Sequence, residues 1–202
     1  IYGFGCTLFQ QIIGLALALF LNSKFKGRGM IRTIIYMPAM VSGLVMGYIM
    51  YFFFQYKGGV VNDILAAFGA SGYDWLGNGT SAIAVIVFIN TWQFVGVSMV
   101  IYLAGIQGVS QSYLEAATVD GANAWERFRF IILPLLVPAL SSSVIYNLIG
   151  GLKLYDVIIA LTDGGPAKKT HSLATYIANR YFDAERAGYA AAIGVFSFVM
   201  IM

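Results

Sequence analysis

Few residues in this chain could do chemistry, and their spacing excludes most kinds. The one histidine, His171, has no second His or Cys near it, and the one cysteine, Cys6, stands in an apolar run. A zinc site draws three or four ligands from Cys, His and carboxylates, so none is expected, and an intrachain disulfide is excluded. No nucleophile–base pair emerges, which argues against a membrane-embedded enzyme. A phosphate-cradling loop needs G-x-x-x-x-G-K-[ST]; the nearest stretch, "GGPAKKT" at 164–170, lacks the glycine before the lysine. What remains is a set of polar side chains inside long apolar runs: Asn90, Trp92 and Gln93, then Tyr146, Asn147, Lys153 and Asp156. In a membrane helix such groups are costly and are functional candidates by default. Asn147 offers amide donors and acceptors, and Trp92 an aromatic face. Interhelical hydrogen bonding is the competing role. Lys153 and Asp156, three apart, are expected on one helix face, where they would neutralise each other.

The elements that must position these groups follow from composition. The 202 residues are 59% hydrophobic and 10% charged, with a mean hydropathy of +0.78, whereas a water-soluble domain carries about 25% charged residues. Such a chain cannot coat a soluble surface and reads as an integral membrane protein. The 23 glycines and the 15% aromatic content agree. A net charge of +3 could suggest nucleic acid, but no basic run exceeds the pair Lys168–Lys169, so no nucleic-acid partner is expected.

A spanning helix needs roughly 20 mostly apolar residues. Five segments qualify or nearly qualify, at about 1–22, 33–56, 80–107, 134–160 and 187–202, the last being short. Helices are favoured because lipid leaves no water to satisfy the backbone. The expected fold class is therefore all-α, a polytopic transmembrane helical bundle. Ile1 and Met202 both lie inside apolar segments, as expected of a piece lacking at least one N-terminal helix and a C-terminal tail. Lys24, Lys26, Arg28 and Arg32 crowd the first loop while the next holds only Lys57; the positive-inside rule makes the first cytoplasmic. Alternation then puts 57–79 outside, 108–133 inside and 161–186 outside. The last assignment runs against Lys168, Lys169, Arg180 and Arg186, which share that loop with Asp163, Asp183 and Glu185. Within 57–79, Val60, Val61, Ile64, Leu65 and Phe68 recur at helical spacing, as in an interfacial helix anchored by Trp75.

One charged stretch interrupts the apolar pattern: "SQSYLEAATVDGANAWERFRFIILP" at 110–134. Ser112 with Glu115 has the spacing of a capping box and predicts a helix starting near Tyr113. Gly121 suits the left-handed conformation that ends it, and Asn123 with Glu126 repeats the box for a second helix. Trp125, Phe128 and Ile132 would line one apolar face. Pro134 fits the first turn of the next membrane helix, whereas Pro138 should bend it. By spacing alone, this elbow is either a connecting loop on the membrane or an exposed contact helix whose small residues, Ala116 and Ala117, admit another surface.

The order Glu115-Ala116-Ala117, Asp120-Gly121-Ala122, Phe128, Ile131, Leu133-Pro134 and Pro138 resembles the EAA loop of binding-protein-dependent ABC transporter permeases. The resemblance extends over nearly the whole chain. "GGVVND", "YLAGIQGVSQSYLEAA" and "LTDGGPAKKTHSLATYI" are similar to the sugar-permease branch. It implies a single permease domain over 1–202 with a cytoplasmic coupling loop at 108–133. Glu115, Ala116, Ala117, Asp120 and Gly121 would then couple the chain to an ATPase. It implies further partners: one or two ATP-binding subunits that do the hydrolysis, a second permease subunit and an extracytoplasmic solute-binding protein. The chain itself would need no cofactor or metal and would lie, multi-pass, in a bacterial or archaeal inner membrane. The solute would be a sugar or a glycerol phosphate, with Asn90, Trp92 and Asn147 as candidates for its path. An ion-coupled carrier or channel is the alternative, for which Lys153 and Asp156 are the only charged residues within the four complete spans.

Overall fold

The computed structural model describes residues 1–23, 25–183 and 185–202, except for the side chain of Asp183. Lys24, one of the four basic residues of the first loop, lies outside them, as does the Asp183 carboxylate.

Among the described residues the secondary structure is helical, without strands. Two helices among the described residues are long and apolar enough to cross a membrane unbroken: α1 (Tyr2–Asn22) and, after three shorter ones, α5 (Gly79–Gln107). The expected span 33–56 is broken instead. It comprises α2 (Arg28–Tyr36), a 3₁₀ turn (Met37–Met40) and α3 (Gly43–Phe54). Pro38 lies in that turn; lacking an N–H and crowding the residue before it, it ends α2. Ser42, extended at ψ 141°, then starts α3 anew. A short α4 (Val60–Ala67) follows, as its periodicity predicts. Trp75 does not stand free as a headgroup anchor. It is half-buried, its Nε1 donates to Asn62 Oδ1 at 3.1 Å and its ring lies 6.1 Å from that of Phe54.

The expected span 134–160 is also divided. After α6 (Gln111–Val119) and α7 (Ala124–Arg127) comes a π-helical turn (Phe128–Ile132), then α8 (Leu133–Leu135) and α9 (Val137–Leu152). The bend expected of Pro138 falls just before it, at Leu136, where Ala124–Leu135 and Val137–Leu152 meet at 64°. Proline at the second position of a helix gives up an N–H that had no partner, so both Pro134 and Pro138 sit in first turns. Lys153–Tyr155 break the chain again before α10 (Asp156–Thr162). Lys153 and Asp156 therefore do not share a helix face. The Asp156 side chain packs on Gly43, and Lys153 borders a cleft with Leu173 and Ile177. The helical part ends with α11 (Leu173–Ala178), a π-helical turn (Asn179–Asp183) and α12 (Ala187–Ile201).

Two compact units organise these elements. The first comprises 1–6, 41–91 and 148–202. Its core joins Met46, Val85, Ile86, Ile89, Val157, Ile158 and Leu161. A Cβ on Gly47 would stand 2.5 Å from that of Ala160 and 3.3 Å from the Val157 Cα, so α3 and α10 touch backbone to backbone. Close approach of this kind compensates for the missing hydrophobic drive between helices in lipid. Cys6 is fully buried, a small apolar side chain as its setting suggested. The second unit comprises 7–40 and 92–147. Ala18, Leu21, Met99, Tyr102, Leu103, Ile106 and Leu136 form its core, with Ile132 against it, and the Tyr102 hydroxyl donates to Gln11 Oε1.

Candidate functional site

The elbow between α5 and α9 is built from local hydrogen bonds that its sequence largely dictates. Its first expected cap does not form. The residue preceding α6 is Ser110, so Ser112 falls inside the first turn, and the two hydroxyls lie 2.8 Å apart. Glu115 is thereby left exposed instead of reaching back to the backbone. The other end follows expectation. Gly121 has φ +82°, Gly121 N donates to Thr118 O at 3.1 Å and Ala122 N to Ala117 O at 2.9 Å. These are the paired bonds of a Schellman motif, which a side chain at Gly121 would strain. Asn123 and Glu126 form the reciprocal box: Asn123 N donates to Glu126 Oε2 at 2.7 Å, and Glu126 N to Asn123 Oδ1 at 3.0 Å.

Glu115, Ala116, Asp120 and Gly121 are exposed, and Ala117 is buried. A cleft of about 400 Å³ is lined by Tyr113, Ala116, Ala117, Asp120, Phe130 and Ile131 among others. The expected apolar face Trp125–Phe128–Ile132 forms in part, the rings of Trp125 and Phe128 lying 5.6 Å apart. The π-helical turn lengthens the repeat, so Ile132 reaches the core while Trp125 stays 64% exposed. An elbow of this kind offers a partly apolar surface with a carboxylate at its edge; it holds no reactive group.

Within α5 the polar candidates do not share one face. On a helix of 3.6 residues per turn, positions 90 and 92 are about 200° apart. Accordingly Asn90 and Gln93 are buried on one side of α5 while Trp92 is 41% exposed on the other. Asn90 belongs to the first unit; Trp92 and Asn147 belong to the second. Asn147 is buried, and its Nδ2 donates to Ser98 Oγ at 2.7 Å, Ser143 O at 2.9 Å and Ser143 Oγ at 3.3 Å. Ser98 and Ser143 escaped the sequence reading. The four-residue spacing of Ser143 and Asn147 could have signalled one partner, but nothing local announces Ser98.

The block 162–176 is a structural clamp. Thr170 Oγ1 donates to Gly165 O at 2.6 Å, Tyr2 OH to Thr170 O at 2.9 Å and Ser172 Oγ to Leu154 O at 2.5 Å. Ser172 and Thr175 cap α11 reciprocally. His171, a half-buried loop residue, lies 3.2 Å from Thr175 Oγ1 through Nδ1. Burial first, then the charge of Lys168, holds its pKa below the ordinary value.

The profile of the family described as "binding-protein-dependent transport system inner membrane component" matches residues 11–202. The chain belongs to this family. This permease is 35% identical over 201 residues to the trehalose/maltose transport system permease protein MalF of Thermococcus litoralis, covering 100% of the chain and 68% of the relative. Its fold matches a crystal structure of a bacterial ABC transporter involved in the import of the acidic polysaccharide alginate. The TM-score is 0.87 at 27% identity, over 99% of this chain and 72% of the other. The same importer type, in complex with an alginate pentasaccharide-bound periplasmic protein, matches with a TM-score of 0.85 at 27% identity, over 96% and 69%. The permease is thus a membrane-embedded ABC importer component of transport function, and all but its first ten residues fall within the family match.

Proposed function

We propose that this permease carries a sugar or a related glycerol phosphate across a bacterial or archaeal inner membrane by alternating access, in a multi-pass arrangement driven by ATP hydrolysed on a separate subunit. The elbow carries the reading: α6 presents Glu115 and Ala116 outward, and its C-terminal end is fixed by Gly121. Glu115, Ala116, Ala117, Asp120 and Gly121 would meet the ATP-binding subunit on the cytoplasmic side. A second permease subunit would complete the path, and a solute-binding protein would deliver the solute from outside. The sugar class is supported by a relative named for trehalose and maltose and by neighbours that import alginate. Trp92, exposed, and Asn147, already bonded, are the path candidates of the second unit, and Asn90 that of the first.

The test is purification from native membranes in mild detergent, with mass spectrometry of the retained proteins and ATP hydrolysis measured with and without sugars. An ATP-binding subunit retained by the wild type and released by Glu115→Lys supports the assignment. A homogeneous oligomer without ATPase, from membranes that still transport, overturns it.

A further inference from the structure

A side-chain bond joins the two helices that meet at Gly121. Arg127, the last residue of α7, donates from Nη1 to Thr118 Oγ1 at 3.0 Å, and Thr118 Oγ1 donates to Leu114 O at 2.7 Å inside α6. The threonine hydroxyl is thus engaged both as donor and as acceptor. The Schellman motif and the Asn123 box fix the end of one helix and the start of the other. Between them the chain still turns about the soft backbone dihedrals of Ala122. A bond from 127 back to 118 closes a ring across that turn. Its donor is a planar cation, whose charge strengthens the bond and lies at the C-terminal turn of α6, where the helix dipole favours it.

We propose that Thr118 and Arg127 form a clamp that makes α6 and α7 move as one rigid piece. Displacement of α6 by a partner then reaches the π-helical turn and α9 undiminished instead of flexing the turn at Gly121. Both are positioning residues, since they act through the geometry of the elbow. The inference rests on the reading of α6 as the coupling helix.

The test places spin labels at Gln111→Cys and Arg129→Cys in a Cys6→Ser background of the purified complex. Distances are measured by electron paramagnetic resonance without nucleotide and after trapping with ATP and vanadate. The expected result is one narrow distribution, unchanged by trapping, in the labelled parent with the clamp intact and in Thr118→Ser, which keeps the hydroxyl. Thr118→Val, of similar shape, and Arg127→Gln should each at least double its width, and the double variant should be no broader than either single one. Distributions in Thr118→Val and Arg127→Gln that match the parent would overturn the clamp, as would simple additivity in the double variant. Subunit retention in the same preparations separates the two readings. If no ATP-binding subunit accompanies the parent, the coupling role fails while the widths still judge the clamp.

Discussion

Asn147 and Trp92 separate packing from transport at the level of single residues. Asn147 is buried with its amide bonded to Ser98 and Ser143, so Asn147→Leu should cost about 1 kcal/mol, read as a lower Tm in mild detergent. Trp92 is 41% exposed, and Trp92→Ala should leave Tm nearly unchanged while lowering uptake. Unaltered uptake would remove Trp92 from the path. His171 gives a pH dependence. Its folded pKa is lowered, chiefly by burial, so the unfolded chain binds more protons below the ordinary value of about 6.5. Stability therefore rises with pH through the window between the depressed folded pKa and that value, and is lost on acidification. A Tm measured from pH 7.5 downward should fall more steeply in the wild type than in His171→Gln. These residues were visible in the sequence as types, yet their partners were not: Ser98 is 49 residues from Asn147, and no local pattern links them.

The elbow shows which signals work at the level of elements. Gly121 and the pair Asn123–Glu126 could be read because a Schellman turn and a capping box are each closed within five residues. Ser112–Glu115 has the right spacing but the wrong register, because α6 begins two residues earlier. Asn123→Ala should cost about 1 kcal/mol as the loss of a cap. Gly121→Pro imposes φ near −65° where φ is +82° and deletes a donor used by Thr118 O. It should leave membrane insertion intact and give ATP hydrolysis without uptake. Coupled transport in that variant would show that the turn transmits nothing. The broken spans follow the same logic. Pro38 and Pro138 stand at two breaks, whereas the break at Lys153–Tyr155 follows only Gly150–Gly151, whose effect depends on what packs beside them.

For the whole molecule, the basic first loop predicts an orientation, and the proposed meeting of α6 with an ATPase requires the same one, which single-cysteine labelling can check. In a Cys6→Ser background, an impermeant thiol reagent applied outside should modify Asp74→Cys and spare Glu115→Cys until the membrane is opened. The reverse pattern would invert the topology and remove α6 from the ATPase side. Gly47→Leu tests the packing of the first unit. The side chain would occupy space held by Ala160 and Val157, so overpacking of about 1–3 kcal/mol is expected, seen as a lowered Tm.

Apolar composition determined a helical membrane chain, because lipid forces every backbone hydrogen bond to close within its own segment. The ordered residues from Glu115 to Pro138 determined the elbow, because caps and turns are closed by near neighbours. Tertiary structure alone decided that the chain breaks again at Lys153–Tyr155, which polar side chains are buried together and which stay open. Those outcomes depend on contacts between residues far apart in the chain, whose surfaces meet only after the helices have formed.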